Sequence, residues 1–215
     1  MEQDSELYDR LKNNYFLYDN SFEHFIEKIK PELRYGKSYL FSATSLHIFV
    51  VTNYCNAQCV YCQAQSGNIN ICKMMNKDIA KKSVNIALQS PQRELNFEFQ
   101  GGEPLSNFPI IKFIVEYSEK EKKDKIIHYS LVSNLSLLNE EMVEFFKEYD
   151  VSISTSLDGN EMLHNQNRPL SGGKNSYNIL MKKIEMLCER GLRYGAIQTT
   201  TRASLEQGKE IIEEY

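Results

Sequence analysis

The sequence predicts an α/β protein: a partial (β/α)6 TIM-like barrel, preceded by a short N-terminal extension and truncated before its last unit. Three observations carry that reading. From Leu46 onward, β-rich runs of six to eight residues alternate with helical patterns, five times over. Successive strand-helix units of this kind build parallel sheets, and a closed barrel needs at least one unit more than the chain supplies. The 215 residues, 41% of them hydrophobic, are enough to enclose a core. An open five-stranded sheet satisfies the same pattern. The boundaries expected are 1–45 for the extension and 46–215 for the core domain.

Within the extension, Asn20 can cap a short helix with Glu23 placed for a capping box, and Phe22, Phe25, Ile26 and Ile29 form one apolar face that Pro31 ends. A linker is expected through 36–45. The first strand is Leu46 to Val51, followed by a cysteine-bearing loop and a helix from Lys77 to Leu88 that must stop before Pro91. Leu95 to Gln100 and Ile126 to Ser133 form strands two and three, with the helix of Ile110, Ile111, Phe113, Ile114 and Tyr117 between them. Asn139 caps the next helix, and Val151 to Ser156 is strand four. A helix through Leu180, Ile184, Leu187 and Cys188 ends at Gly191, which suits a left-handed C-cap. Ala196 to Thr201 is strand five, and Ser204 with Gln207 opens a final helix.

Charge narrows the function classes. Lys plus Arg number 25 against 29 Asp plus Glu, and 25 − 29 gives a net charge of −4 with no clustered basic patch, so a nucleic-acid surface is not expected. The longest apolar run, 46–51, cannot span a bilayer, and the opening MEQDSELYDR is acidic rather than basic-then-apolar. A cytoplasmic protein without a membrane partner is the expectation.

Five cysteines is an odd number, and Cys55, Cys59 and Cys62 fall within eight residues directly after strand one. A C-x3-C-x2-C loop can hold three irons of a cubane cluster and leave a fourth without a protein ligand. Such an open position is what a catalytic metal site needs. A structural zinc site, or three partly buried thiols, is the alternative; zinc would need a fourth ligand, for which Cys72, His128 and His164 are the candidates.

Cys55-Asn-Ala-Gln-Cys59-Val-Tyr61-Cys62 after strand one, Gly101-Gly102-Glu103-Pro104 after strand two, and Ser156-Leu-Asp158-Gly159 followed by His164-Asn-Gln-Asn-Arg168 occur in that order. This set resembles the radical S-adenosylmethionine superfamily, in its peptide-modifying, anaerobic sulfatase maturase-like branch, over about 46–215. LHIFVVT before the cysteines and QTTTRASLE near the end look most like the His-Xaa-Ser system radical SAM maturases. The resemblance implies a 4Fe-4S cluster on Cys55, Cys59 and Cys62 and S-adenosylmethionine on the open iron. It further implies a 5′-deoxyadenosyl radical that modifies a residue in a ribosomally made peptide, with an electron donor such as a flavodoxin or ferredoxin. A formylglycine-forming sulfatase maturase and a non-catalytic iron-sulfur or metal-binding module are the alternatives.

By the same resemblance, Gly101 and Gly102 let backbone approach the cofactor's ammonium, with Glu103 nearby, although a plain turn before Pro104 would also use them. Arg168 pairs with the methionyl carboxylate beside the Ser156 hydroxyl, and Tyr61 lies next to the adenine. Ser133 and Asn134, ending strand three, face the ligand crevice, and Ile197 or Gln198 supplies an adenine contact. Gln63 stands where a Tyr or Phe is usual, which removes no ligand. No cysteine follows Cys188, so an auxiliary-cluster ligand or a substrate-specific base is expected outside these residues. The extension either helps to grip the peptide or is a plain packing element.

Overall fold

The computed structural model describes residues 2–17, 21–38, 43–63 and 72–215. The chain divides into two compact units, Met1–Ala43 and Thr44–Tyr215.

The first unit holds two helices, α1 (Glu2–Asn13) and α2 (Phe22–Gly36). Only Leu7 and Leu11 are strong apolar residues of α1 after its acidic first turn, which is why its pattern escapes sequence reading. Ser21, whose hydroxyl accepts from the His24 N–H, caps α2; the expected cap Asn20 lies outside the described residues. Pro31 does not end α2. The ring leaves the Glu27 carbonyl without its helical donor, but Glu27 is exposed, so water can replace it.

The second unit follows the strand-helix order. Its elements are β1 (Leu46–Thr52), α3 (Lys77–Ala87), β2 (Glu94–Gly101), α4 (Phe108–Glu121), β3 (Ile126–Val132), α5 (Glu140–Glu148), β4 (Ser152–Ser156), α6 (Glu161–Asn167), α7 (Ser176–Glu189), β5 (Tyr194–Ile197) and α8 (Gly208–Glu214). Among the described residues the strands form one parallel sheet in the order β1-β2-β3-β4-β5. Asn76, Asn139, Asn160 and Asn175 cap α3, α5, α6 and α7 through their side chains.

Alternation along the strands divides the two faces. Phe49, Val51, Leu95, Phe97, Phe99, Tyr129, Leu131 and Ile153 enter one core with Ala80, Val84, Ile111, Ile114, Phe146 and Leu187 of the helices. The opposite face carries Asn96, Glu98 and Gln100 of β2, His128 and Ser130 of β3, and Ser152, Ser154 and Ser156 of β4, all exposed or half-buried. In register with the β2 row, Leu46, Ile48 and Val50 of β1 are exposed on the same face, so this face is mixed, apolar along β1 and polar along β2 to β4.

β5 begins two residues earlier than the sequence suggests and stops at Ile197. Its partner β4 ends at Ser156, and the Thr199 N–H leaves the ladder to donate to the Asp158 carboxylate at 3.1 Å. Cys188 is exposed rather than part of the core. It lies in the last turn of α7 beside Tyr194 of the short edge strand, which offers too little surface to cover it.

Candidate active site

The cysteine loop is pinned at both ends. At its start, the Gly102 N–H donates to the Thr52 carbonyl at 3.0 Å and the Glu103 N–H to the Tyr54 carbonyl at 2.7 Å. Farther on it runs against the segment after α6: Gln58 N–H donates to Pro169 O at 2.8 Å, Val60 N–H to Asn167 O at 3.0 Å, and Ser171 N–H to Asn56 O at 2.9 Å. The two most distant motifs of the chain thus meet through backbone hydrogen bonds.

A Cβ on Gly102 would lie 2.2 Å from the Tyr54 carbonyl oxygen and 2.9 Å from the Cys55 nitrogen; one on Gly101 would lie 2.2 Å from the Thr52 oxygen. The two glycines therefore admit the backbone that leads into the cysteines, besides bordering the cavity. Gly102→Ala is expected to cost about 3 kcal/mol, the upper end for overpacking, because the obstacle is backbone. Chemical denaturation of wild type and variant checks this, and equal midpoints would contradict it.

Cys55, Cys59 and Cys62, none of them in a disulfide, line one cavity of about 450 Å³ with Tyr61, Gly101, Gly102, Ser133, Asn134, Ser156 and Arg168. That volume lies in the ordinary range for cofactor sites. Among the described residues, no group of three or more His, Cys, Asp or Glu side chains could hold a single metal ion. Three thiols around one cavity suit a multi-iron cage, with one thiolate per iron.

Glu103 is fully buried and does not line the cavity. One oxygen accepts from Ser133 Oγ at 2.7 Å and Leu105 N at 3.0 Å, the other from Asn134 N at 2.8 Å. Burial pushes its carboxyl above the usual range, opposed by these bonds. The carboxylate thus braces the end of β3 against the loop after β2. Ile197 is also outside the cavity, 56% exposed on the edge strand. Thr199 occupies the lining in its place, and its signal was hidden because the TTT run reads as strand.

Over residues 49–204 the sequence matches the radical SAM superfamily. The chain belongs to that superfamily. Radical SAM proteins use a 4Fe-4S cluster and S-adenosylmethionine. An uncharacterized protein of Methanocaldococcus jannaschii is 32% identical over 77% of this chain and 56% of its own length. A cysteine-type anaerobic sulfatase-maturating enzyme of Clostridium novyi is 27% identical over 74% of this chain and 44% of its own. The chain thus spans about half the length of the curated relatives it matches. The fold is shared with native anSMEcpe with bound AdoMet and Cp18Cys peptide (TM-score 0.71, 23% identity, 80% of this chain and 46% of that one). It is shared also with Streptococcus suis SuiB bound to S-adenosylmethionine (TM-score 0.61, 19% identity, 99% and 48%).

The electrostatics of this radical SAM site centre on Asp158, which is fully buried. It accepts from Tyr61 Oη at 2.5 Å and Thr199 N at 3.1 Å, and it pairs with Arg168 Nε at 3.1 Å. The guanidinium in turn lies over the Tyr61 ring, 5.2 Å from its centroid. Burial, followed by the bond to Asp158, raises the Tyr61 phenol, so it stays a donor. Burial pushes the Cys55 thiol up to about 11 and raises Cys59, which Arg168 partly opposes. Iron binding would displace the thiol protons and supply the compensating charge.

His164 accepts from the Asp158 N–H at 3.3 Å through Nδ1, and burial together with the Arg168 charge lowers it to about 4. Below an unfolded-state value of about 6.5, the unfolded chain takes up a proton that the folded chain refuses until about pH 4. Stability therefore falls as pH drops through that window, by up to about 3 kcal/mol. His164→Gln is expected to flatten this part of the stability-pH curve, and an unchanged slope would contradict it.

Proposed function

We propose that this chain is the cofactor-binding part of a radical SAM enzyme that modifies a residue in a ribosomally made peptide. One observation carries the reading: three cysteines, the Gly101-Gly102 turn, Ser133-Asn134, Ser156 and Arg168, from five separate stretches of chain, border a single cavity. In this assignment Cys55, Cys59 and Cys62 hold the 4Fe-4S cluster. When bound, the cluster and S-adenosylmethionine supply one-electron cleavage of a carbon-sulfur bond and hydrogen abstraction from substrate.

The chain's own residues bind and orient. Asp158 pairs with the Arg168 guanidinium, which lies over the Tyr61 ring, and its outer N–H groups can meet a carboxylate together with the Ser156 hydroxyl. Ser133 and Asn134 are fixed by Glu103 before any ligand arrives, which lowers the ordering cost of binding. Tyr61, Gly101 and Gly102 complete the wall.

The substrate class is argued from the mixed face of the sheet. Gln100 reaches the cavity and hydrogen-bonds Glu98, which in turn accepts from Ser130 Oγ at 3.5 Å. Amide, carboxylate, imidazole and hydroxyl groups in these rows, beside the exposed Ile48 and Val50 of β1, suit a peptide, which brings both hydrogen-bonding and apolar groups. Structural neighbours point the same way: anSMEcpe has been solved with bound AdoMet and Cp18Cys peptide. SuiB has also been solved bound to the precursor peptide SuiA. A flavodoxin or ferredoxin is proposed as the electron donor.

The test is anaerobic incubation of reconstituted protein with S-adenosylmethionine, dithionite and a peptide panel, with 5′-deoxyadenosine and peptide mass as readouts. The panel contains His-Xaa-Ser segments and sulfatase-type Cys and Ser peptides. A peptide that accelerates 5′-deoxyadenosine release and changes mass supports the reading. Formylglycine in a sulfatase-type peptide would identify the alternative substrate, and absence of 5′-deoxyadenosine under all conditions would refute the enzyme.

A further inference from the structure

Two side-chain donors lie against cysteine sulfurs. Asn134 Nδ2 is 3.9 Å from Cys55 Sγ, and Arg168 Nη1 is 3.9 Å from Cys59 Sγ. Neither group is free to turn away. The Asn134 oxygen accepts from the Ser136 N–H at 2.9 Å and the Ser136 hydroxyl at 2.6 Å. A backbone N–H can only donate, so the amide's oxygen must face Ser136 and its NH2 must face the cysteine loop. There the NH2 is shared between Asn56 Oδ1, at 3.1 Å, and the Cys55 sulfur. Arg168 Nε lies 3.1 Å from the Asp158 carboxylate as an ion pair and its guanidinium lies over the Tyr61 ring, while its other N–H groups reach Cys59 and, at 3.5 Å, Thr199 Oγ1.

We propose that Asn134 and Arg168 raise the reduction potential of the cluster by donating N–H groups to the sulfurs of Cys55 and Cys59. The inference rests on the proposed ligation of the cluster by these cysteines. Reduction adds negative charge that the thiolate sulfurs share, and donors fixed on those sulfurs stabilise the reduced form more than the oxidised one. Asn134 is the cleaner of the two, because it is neutral and acts by hydrogen bonding alone. The Arg168 charge is partly balanced by Asp158.

The experiment is an equilibrium redox titration, followed by electron paramagnetic resonance, of anaerobically reconstituted protein without S-adenosylmethionine, so that cofactor affinity does not enter. Asn134→Leu, which removes the donor at similar volume, is expected to retain the iron content of wild type. The ratio of reduced to oxidised cluster at a fixed poise should fall about tenfold, a shift of about 59 mV toward negative potential for a one-electron couple. Asn134→Asp keeps the shape and puts an acceptor in place of the donor; it should fall further, and it decides the matter if the Leu variant loses iron. Arg168→Met should shift in the same direction. Unchanged midpoints at wild-type iron content would overturn the inference while leaving the ligation intact. Failure of the wild type itself to assemble a reducible cluster would overturn the ligation, and the inference with it.

Discussion

Replacing any one of Cys55, Cys59 and Cys62 with alanine is expected to reduce bound iron to background after anaerobic reconstitution, and to abolish S-adenosylmethionine cleavage with it. Among the described residues that line the cavity, these three are the only cysteines, and Cys188 is exposed on the last turn of α7. Cys188→Ala should therefore match wild type in iron content and absorbance. The cost of ligand loss is steep because the site is built for charge that only the metal supplies. Burial raises the thiols of Cys55 and Cys59, and bound iron is what displaces their protons. Iron and sulfide assays with visible absorbance check the prediction. A single variant that retained the full cluster would remove that cysteine from the ligand set.

Asp158→Ala is expected to be the most destabilising substitution outside the cysteine loop, by about 3–5 kcal/mol, the range for removing one partner of a buried ion pair. The carboxylate is fully buried, its partner Arg168 keeps a side chain only 13% exposed, and both Tyr61 Oη and Thr199 N lose their acceptor at the same time. Asp158→Asn, which keeps one acceptor oxygen, should lose less. Urea unfolding of the reduced, metal-free chain measures both, and a loss below about 1 kcal/mol for the alanine variant would show that the network does not hold the site. The same substitution frees Arg168, so the apparent affinity for S-adenosylmethionine should weaken in the folded variant as well.

The strands and most helices were legible because alternation and capping are local. Phe97 and Phe99 with Asn96 and Glu98 between them can be read as a one-faced strand, and Asn139 marks its helix by a hydrogen bond three residues on. The three motifs were equally visible. What they do in space was less so. Gly101 and Gly102 were read as yielding to a ligand, whereas their missing Cβ atoms also make room for the backbone of Thr52 and Tyr54, a contact between strands that no local pattern reveals. The bonds of Glu103 to Ser133 and Asn134, about thirty positions away, are likewise invisible to any local pattern. Asp158 stood in plain view within its motif without an assigned role, because its partners Tyr61, Arg168 and Thr199 come together only through the pairing of the cysteine loop with the segment after α6. Chemistry-bearing residue types announce themselves in sequence, and the division between ligands and the residues that hold them is a tertiary property.

The central claim, that the thiols of this cavity present a cluster with one iron open to S-adenosylmethionine, is tested most directly by low-temperature electron paramagnetic resonance. Anaerobically reconstituted, dithionite-reduced protein is compared with and without S-adenosylmethionine, and against Cys59→Ala. The expected result is a reduced-cluster signal whose g values shift when S-adenosylmethionine is added and which is missing from the variant. A signal indifferent to S-adenosylmethionine, or protein that takes up zinc in place of iron, would contradict it.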